Sequence, residues 1–396
     1  MKTMKTTGAC CLGLLLIVAN IATAQPRRLP PPNPSCEGGS NLVEWGSQFR
    51  FNACHTGFNP YEVILSPTTV GNLVLDWTYP TMSDLYYFAP VVANGMVYVE
   101  SIDFNLYAVN AATGALVWKY TTGNQVESSP TVANGVVYFG ADDNNVYALN
   151  ATTGALLWKY LTSGTIDSSP AVANGVVYIQ VEAPDKNLYA LNASTGALLW
   201  KYPTGGGFSS PAVANGVVYV GSSPPTAAVH ALNASTGALL WQYSTGYRVL
   251  CSPAVANGVV YVGTDDDNLY ALNAVTGAVL WKYPTKGTVG SSPAVANGVV
   301  YGGSDADSLY ALNATTGALL WSYYTGNFIF SSPAVANGVV YFQSGTTYAL
   351  NAETGALLWE STTTGVRAST SPAVANGVVY VGSDDGSLYA FHLSDH

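Results

Sequence analysis

Two acidic residues stand at matching positions of a repeated phrase. Glu127 precedes Pro130 by three residues, and Asp167 precedes Pro170 by three residues. Because each copy of the phrase begins a new structural unit, we expect the two carboxylates to lie on adjacent units and to converge. Converging carboxylate oxygens suit a hard cation such as Ca²⁺ or an acid–base pair. The alternative is that an acidic pair falls among variable surface positions by chance.

The same position carries aromatic residues in three other copies. Tyr87, Phe208 and Phe330 each stand three residues before a repeat proline. Aromatic side chains gathered around one opening can stack on a flat ligand. We therefore predict a ligand site at the mouth of the axial channel, made of these three aromatic residues, the two acids, Arg248 and Arg367, with the acids as its metal ligands.

These positions are set by a repeat that covers most of the chain. The phrase Pro-Ala-Val-Ala-Asn-Gly-Val-Val-Tyr recurs eight times with small changes, at intervals of 39 to 42 residues. A second phrase, Leu-Tyr-Ala-Leu-Asn-Ala-Thr-Thr-Gly-Ala-Leu-Leu-Trp, keeps step with it. One unit predicts four short strands, at 128–133, 136–140, 146–150 and 155–160. Asn-Gly favours a two-residue hairpin, and short turns throughout make each sheet an antiparallel meander.

The strands carry apolar side chains on both faces, so each sheet must be covered on both faces. An all-β, eight-bladed β-propeller of four-stranded antiparallel blades satisfies this requirement. The chain enters the repeat at a lone fourth strand, 74–79, and leaves it at a third strand, 388–392. Pairing these two strands closes the ring and removes two free sheet edges.

The two ends of the blades differ in how much they vary. The Asn-Gly and Asn-Ala-Thr-Thr-Gly turns are nearly constant among the copies and lie on one side, which we call the constant face. The Asp-rich hairpins and the blade-to-blade connections vary and lie on the other side, the variable face. Variation among repeats marks a surface that is free to bind, although weakly constrained turns also vary. Asp142-Asp143 and similar hairpins lack the ligand spacing of an EF-hand, and turn chemistry explains them better.

Composition excludes several classes of protein. Only 9% of the 396 residues are charged, 48% are hydrophobic, and the formal net charge is −10. Disordered chains have the opposite balance, and a pI of about 4.6 argues against nucleic-acid binding. No run of 18 apolar residues occurs, so we expect no transmembrane segment.

The N-terminal residues read as an export signal. Residues 1–24 have a positive start, a short apolar core and a small-x-small cleavage site. We expect 25–71 to be a Pro-rich leader and capping segment, and 72–396 to be the propeller. A secreted or periplasmic location allows disulfides, so we predict that Cys36 pairs with Cys54. Cys251 replaces the Ser of other copies, and we interpret it as a buried small residue.

The repeated turn resembles a known motif. The unit Ala-x-Asn-x-x-Thr-Gly-x-x-x-Trp, at Ala148 to Trp158 and in its copies, is similar to the tryptophan-docking motif of the pyrroloquinoline quinone (PQQ) repeat propeller family. The resemblance covers residues 72–396, although the family usually has Asp where this chain has Asn150 and its equivalents. The segment 45–57 is similar to the lead-in before many such propellers.

The resemblance implies two kinds of function. Some relatives are quinoprotein alcohol or sugar dehydrogenases that hold PQQ and Ca²⁺ over the axis, and others are protein-binding scaffolds without the cofactor. The short connections here leave little to cover a cofactor, and the basic residues that would hold quinone carboxylates are few: Lys186, Arg248, Lys286 and Arg367. We therefore favour an exported scaffold that binds a protein, glycan or small molecule through its variable face. The dehydrogenase remains the alternative.

Overall fold

The chain forms the predicted ring of blades. The computed structural model describes residues 48, 50–81, 83, 85, 89–361 and 370–394. It contains eight sheets, each an antiparallel meander of four strands, and one sheet carries an additional two-residue strand. The prediction of an all-β, eight-bladed propeller is confirmed.

Each blade has its strands in the same order from the axis outward. The innermost strands are Val91–Ala93, Thr131–Ala133, Ala171–Ala173, Ala212–Ala214, Ala254–Ala256, Ala294–Ala296, Ala334–Ala336 and Ala373–Ala375. The second strands are Met96–Ser101, Val136–Gly140, Val176–Gln180, Val217–Gly221, Val259–Thr264, Val299–Ser304, Val339–Gln343 and Val378–Ser383. The third strands are Asn105–Asn110, Asn145–Asn150, Asn187–Asn192, Ala228–Asn233, Asn268–Asn273, Ser308–Asn313, Thr347–Asn351 and Ser387–Leu393. The outer strands are Leu116–Thr121, Leu156–Leu161, Leu198–Pro203, Leu239–Ser244, Val279–Pro284, Leu319–Tyr324, Leu357–Glu360 and, in the last blade, Leu73–Pro80.

The last blade joins the two ends of the repeat. Leu73–Pro80 pairs antiparallel with Ser387–Leu393, with Leu73 opposite Leu393 and Pro80 opposite Ser387. A short 3-10 helix, Val70–Asn72, leads into this outer strand. The ring therefore closes by hydrogen bonds between the two ends of the propeller, as the repeat predicted.

The innermost strands are shorter than the sequence predicts. We expected a strand over 128–133, and the structure has Thr131–Ala133. The hydroxyl of Ser128 accepts the Gly140 N–H at 2.7 Å and donates to the Gly140 carbonyl at 3.0 Å. A side chain thus replaces the backbone ladder at this point, and the proline that follows has no N–H to extend it.

The Asn-Ala-Thr-Thr-Gly turn is built by its asparagine. The Asn150 Oδ1 accepts the N–H groups of Thr152 at 3.0 Å and Thr153 at 2.9 Å. Gly154 then adopts φ +70°, which a side chain rarely tolerates. An Asn oxygen supplies this capping interaction as well as the Asp that the family usually has.

The same turn docks on the neighbouring blade. The Trp118 Nε1–H donates to the Ala151 carbonyl at 2.9 Å, and the Tyr98 hydroxyl donates to the same oxygen at 3.1 Å. A Cβ on Gly154 would approach the Trp118 ring to 2.8 Å, so the ring lies directly against the glycine. The resemblance to a tryptophan-docking motif is therefore matched by contacts that join adjacent blades.

One expectation about burial is wrong. We expected both faces of every strand to be covered, and the second and third strands are indeed almost entirely buried. The outer strands are not: Leu156 is 44% and Leu157 is 52% exposed. These side chains lie at the circumference, where no further strand packs against them.

We call residues 48 and 50–65 the plug. They lie along the axis and bond to the inner edges of successive blades. The Gln48 side chain bonds to both the N–H and the carbonyl of Val172. Further along, carbonyls of the plug accept N–H groups from the central valines of innermost strands: Val213 to Ala53, Val255 to Cys54, Val295 to Thr56 and Val335 to Gly57, at 2.7 to 2.9 Å. Phe58–Asn59 then pairs in parallel with Ala334–Ala336.

The plug leaves the axis at the constant face. The Glu62 Oε2 accepts the Gly377 N–H at 2.9 Å, and the Asn337 Nδ2 donates to the Leu65 carbonyl at 2.8 Å. Both partners lie in Asn-Gly hairpins. The plug therefore forms a floor beneath the opening on the variable face.

Two further expectations concern the membrane and the cysteines. Within the described ranges, no helix has the length and apolar character needed to cross a membrane. Cys251 is a buried free thiol just before the strand Ala254–Ala256, and its Sγ accepts the Gly263 N–H at 2.9 Å. It takes the place of the serine hydroxyl seen in other blades. Cys54 is disulfide-bonded, whereas Cys36 and the proposed export signal lie outside the described residues, so their assignments stay predictions.

Candidate functional site

Three carboxylates meet on the variable face, and we call Glu127, Asp142 and Asp167 the acidic cluster. One oxygen from each lies within 4.8 Å of the others. Glu127 and Asp167 precede the innermost strands of adjacent blades, as predicted, and Asp142 begins the hairpin between the second and third strands. All three side chains are half-buried.

Asp142 is the member that the sequence did not reveal. We attributed Asp142-Asp143 to turn chemistry, and this holds for Asp143, which accepts the N–H groups of Asn145 at 3.1 Å and Gly123 at 2.8 Å. It does not hold for Asp142, whose Oδ1 is buried without a hydrogen-bond partner in the structure. The sequence feature that could have revealed Asp142 is its position directly after a buried strand, on the side of the hairpin nearer the axis.

The electrostatics of the cluster favour a bound proton. Burial, the nearby charge of Asp142, a hydrogen bond to Asp142 and the charges of Glu127 and Glu182 together raise the pKa of Asp167 to about 8. Burial also raises the pKa of Glu127 and of Asp142. Like charges in a half-buried site cannot all ionise cheaply, so Asp167 is the carboxyl that keeps its proton near neutral pH.

More acids lie elsewhere on the variable face. Burial raises the pKa of Glu182, which accepts the Gly207 N–H at 2.5 Å. Across the ring, in the sixth blade, burial and neighbouring aspartates raise the pKa of Asp305. The variable face therefore carries concentrated negative charge.

Exposed aromatic side chains stand at several of the remaining blade connections, and we call Phe208, Tyr247, Phe328 and Phe330 the aromatic rim. Phe208 is 52% and Phe328 is 60% exposed. The rings of Phe328 and Phe330 meet edge-on with centroids 6.1 Å apart. Exposed aromatic groups beside acids form a surface that can bind both apolar and cationic groups.

The remaining predicted residues divide into two groups. The Arg248 Nε lies 2.6 Å from the Asp265 Oδ2, so its charge is already paired at the surface. Tyr87 and Arg367 lie outside the described residues. Their roles in a ligand site stay predictions.

The described residues do not fit PQQ. The cofactor carries carboxylate groups, which need cationic or N–H partners. Most ionisable side chains near the acidic cluster are carboxylates, the charge of Lys186 acts on Glu182, and the guanidinium of Arg248 is paired with Asp265. The acidic cluster does fit Ca²⁺, because its oxygens are hard ligands and one oxygen of Asp142 lacks a partner.

Comparison with known proteins assigns the chain to a family. A family model described as outer membrane protein assembly factor BamB matches residues 77–206, 165–244, 184–289 and 279–395. The chain belongs to this BamB-like family of PQQ-type propellers. No curated protein sequence gives a significant match.

Solved structures of BamB-like and other propellers share the fold at low identity. BamB from Moraxella catarrhalis is 19% identical, with 82% of this chain and 98% of that chain covered and a TM-score of 0.68. A europium-containing methanol dehydrogenase is 15% identical, with 88% and 98% covered and a TM-score of 0.78. A quinohemoprotein alcohol dehydrogenase from Comamonas testosteroni is 17% identical, with 90% and 81% covered and a TM-score of 0.77. Such likenesses describe architecture, and function must be argued from the site.

Proposed function

We propose that this BamB-like propeller is an exported scaffold that binds a partner protein at the variable face, by a cationic segment that also carries apolar side chains. The observation that carries the proposal is the pairing of the acidic cluster with the aromatic rim around one opening. The plug supplies a fixed floor beneath both. The family description, an outer membrane assembly factor, and the export signal predicted over 1–24 support an extracytoplasmic location.

The acidic cluster is the part of the site that would bind a cationic side chain of the partner. Asp167 holds its proton near neutral pH because burial, and then the negative charges of its neighbours, raise its pKa to about 8. A Lys or Arg side chain placed among the three carboxylates would allow Asp167 to ionise and would form charge-assisted hydrogen bonds. Binding should therefore release protons. Ca²⁺ would use the same oxygens, so the metal role predicted for Glu127 and Asp167 stays a prediction, with Asp142 as a third ligand.

The aromatic rim supports apolar contact beside that cation. Phe328 and Phe330 already meet edge-on, which limits the entropy lost when a partner covers them. Aromatic residues are enriched among those that carry binding energy at protein interfaces. The segment that fits this face therefore combines a basic residue with an aromatic or aliphatic one.

Peptide selection on the immobilised full-length protein tests the proposal. We expect selected peptides to contain a Lys or Arg next to an apolar residue. Their affinity should fall about tenfold or more with Asp167→Asn or Phe330→Ser. Glu353→Gln and Val275→Ser are matched controls on the constant face, where both side chains are exposed, and they should leave the affinity unchanged.

Two results would contradict the scaffold. One is a set of selected peptides whose affinity is the same for Asp167→Asn, Phe330→Ser and the wild type. The other is dye-linked oxidation of an alcohol or sugar by the protein supplied with PQQ and Ca²⁺, which would favour the dehydrogenase alternative. Selection of glycans rather than peptides by the same face would keep the site and change the class of partner.

A further inference from the structure

Arg50 is a buried cation inside the plug. Its side chain is 7% exposed, and its Nε, Nη1 and Nη2 atoms all lack a hydrogen-bond partner in the structure. Burial lowers its pKa to about 9, so the guanidinium still carries its charge at neutral pH. The ion pairs of the described residues involve Lys201, Arg248 and His392 instead.

The groups that act electrostatically on Arg50 are not counterions. One is the thiol of Cys251, whose pKa burial raises to about 12. The other is the imidazole of His55, whose pKa burial and the Arg50 charge lower to about 3. Both groups are therefore neutral near pH 7. A buried charge is normally paired, because an isolated one is strongly destabilising.

A small cavity lies beside this cation. It has a volume of about 50 Å³ and is lined by Arg50, Gly57 and Asn59 of the plug and by Ala89, Pro333 and Pro372 of the blades, among others. A Cβ on Gly57 would stand 2.8 Å from the Arg50 Nη2. The glycine thus leaves the space that the guanidinium occupies at the cavity wall.

The cavity also lies where a ring of hydrogen bonds is interrupted. Backbone N–H groups donate to serine hydroxyls of the next blade in seven successive links, from Ala89 to Ser129 through to Ser332 to Ser371. The link that would close this ring needs a hydroxyl at position 89, and Ala89 has none. Both Ala89 and Pro372, which follows Ser371, line the cavity. The blades therefore leave room at this point on the axis.

We propose that this cavity binds a small monovalent anion, of the size of a halide or nitrate, on the Arg50 guanidinium. The guanidinium offers five N–H donors and no acceptor, so an anion satisfies both its charge and its hydrogen bonds. The cavity has room for about four water molecules, which is enough for a small anion. Because Arg50 belongs to the plug, the anion also fastens the plug to the first, seventh and eighth blades. This site is separate from the acidic cluster, and its test is independent of the proposed function.

Thermal unfolding of the full-length protein at constant ionic strength tests the site, with sodium gluconate replaced stepwise by sodium chloride or bromide. A ligand that binds only the folded state should raise the Tm by about 2 °C for each tenfold increase above its Kd. Arg50→Gln should abolish the difference between chloride and gluconate. Arg248→Gln, which removes an exposed guanidinium, should preserve it.

Crystals of the wild-type protein grown in bromide provide a second readout if Arg50→Gln does not fold. Anomalous scattering should place one bromide against the Arg50 guanidinium. Equal Tm values in chloride and gluconate, or bromide found only on the outer surface, would overturn the proposal. The same holds if Arg50→Gln responds to chloride as the wild type does.

Discussion

The acidic cluster makes a quantitative prediction about stability and pH. The pKa of Asp167 is raised to about 8 in the folded protein, against an ordinary value of 3.8. At pH values between 3.8 and about 8, Asp167 holds a proton in the folded state that it has lost in the unfolded chain. The associated stability is therefore present at the acidic end and is lost as the pH rises through about 8.

The magnitude follows from one proton. A group that is fully protonated in the folded state and fully ionised in the unfolded state changes the unfolding free energy by about 1.4 kcal/mol per pH unit. Because Asp167 is only partly buried and its site is screened by solvent, we halve this value. Between pH 6.5 and 8 the wild type should lose about 1 kcal/mol.

Asp142→Asn should remove part of this loss. The substitution keeps the shape of the side chain and leaves burial, the largest cause of the raised Asp167 pKa, in place, but it deletes the Asp142 charge, which is the next cause. We expect the variant to be about 0.5 kcal/mol more stable than the wild type at pH 8 and nearly equal to it at pH 6. Urea unfolding followed by tryptophan fluorescence at four pH values measures the difference.

Histidines do not confound this comparison. Burial lowers the pKa of His55 to about 3 and that of His230 to about 4. Both groups therefore destabilise the protein as the pH falls below about 6.5, the opposite sign to Asp167. They are present in both proteins, so their effects cancel in the difference.

Glu353→Gln, which replaces an exposed acid on the constant face, is the matched control. Equal pH slopes for wild type and Asp142→Asn would refute the argument.

Three other predictions test the fold. Gly154→Ala should destabilise the protein by about 2–4 kcal/mol, because the new Cβ meets a tryptophan ring. Gly135→Ala has a similar positive φ but lies in open space, so it should cost about 1 kcal/mol. Chemical denaturation measures both changes. Cys251→Ser should change the unfolding free energy by less than about 1 kcal/mol, and Cys251→Val should cost about 1–3 kcal/mol by leaving a buried N–H without an acceptor. Non-reducing peptide mapping should recover Cys36 joined to Cys54, and recovery of Cys54 joined to any other cysteine would contradict the predicted pair.

Repetition explains why the fold could be predicted from the sequence. Each Asn-Gly hairpin and each Trp-docking turn occurs in nearly every blade, so one unit read correctly predicts all of them. The same logic placed Glu127 and Asp167 on adjacent blades, because their position relative to the repeat prolines is the same. Position in the unit determined which side chains converge.

Features outside the repeat could not be predicted in the same way. The plug bonds to the inner strands through its backbone carbonyls, and backbone interactions leave no residue pattern. Asp142 was missed because an Asp in a hairpin usually serves the turn, as Asp143 does here. Arg50 carries no signal in sequence that distinguishes a buried cation from a surface one.

The hydrophobic pattern of the sequence also could not predict that the outer strands are exposed. Leu156 and Leu157 look like core residues in sequence, yet they are about half exposed at the circumference of the ring. An apolar sequence shows what a strand could bury. Whether anything packs there depends on the position of the strand in the closed ring.

The central claim is that the variable face holds a partner, and hydrogen–deuterium exchange of the full-length protein with a selected peptide tests it most directly. We predict slower exchange in the connections 122–130, 162–170 and 325–333, which carry Glu127, Asp167 and the Phe328–Phe330 pair, and unchanged exchange in the Asn-Gly and Asn-Ala-Thr-Thr-Gly turns. Protection confined to those turns, or to the outer strands, would contradict the account.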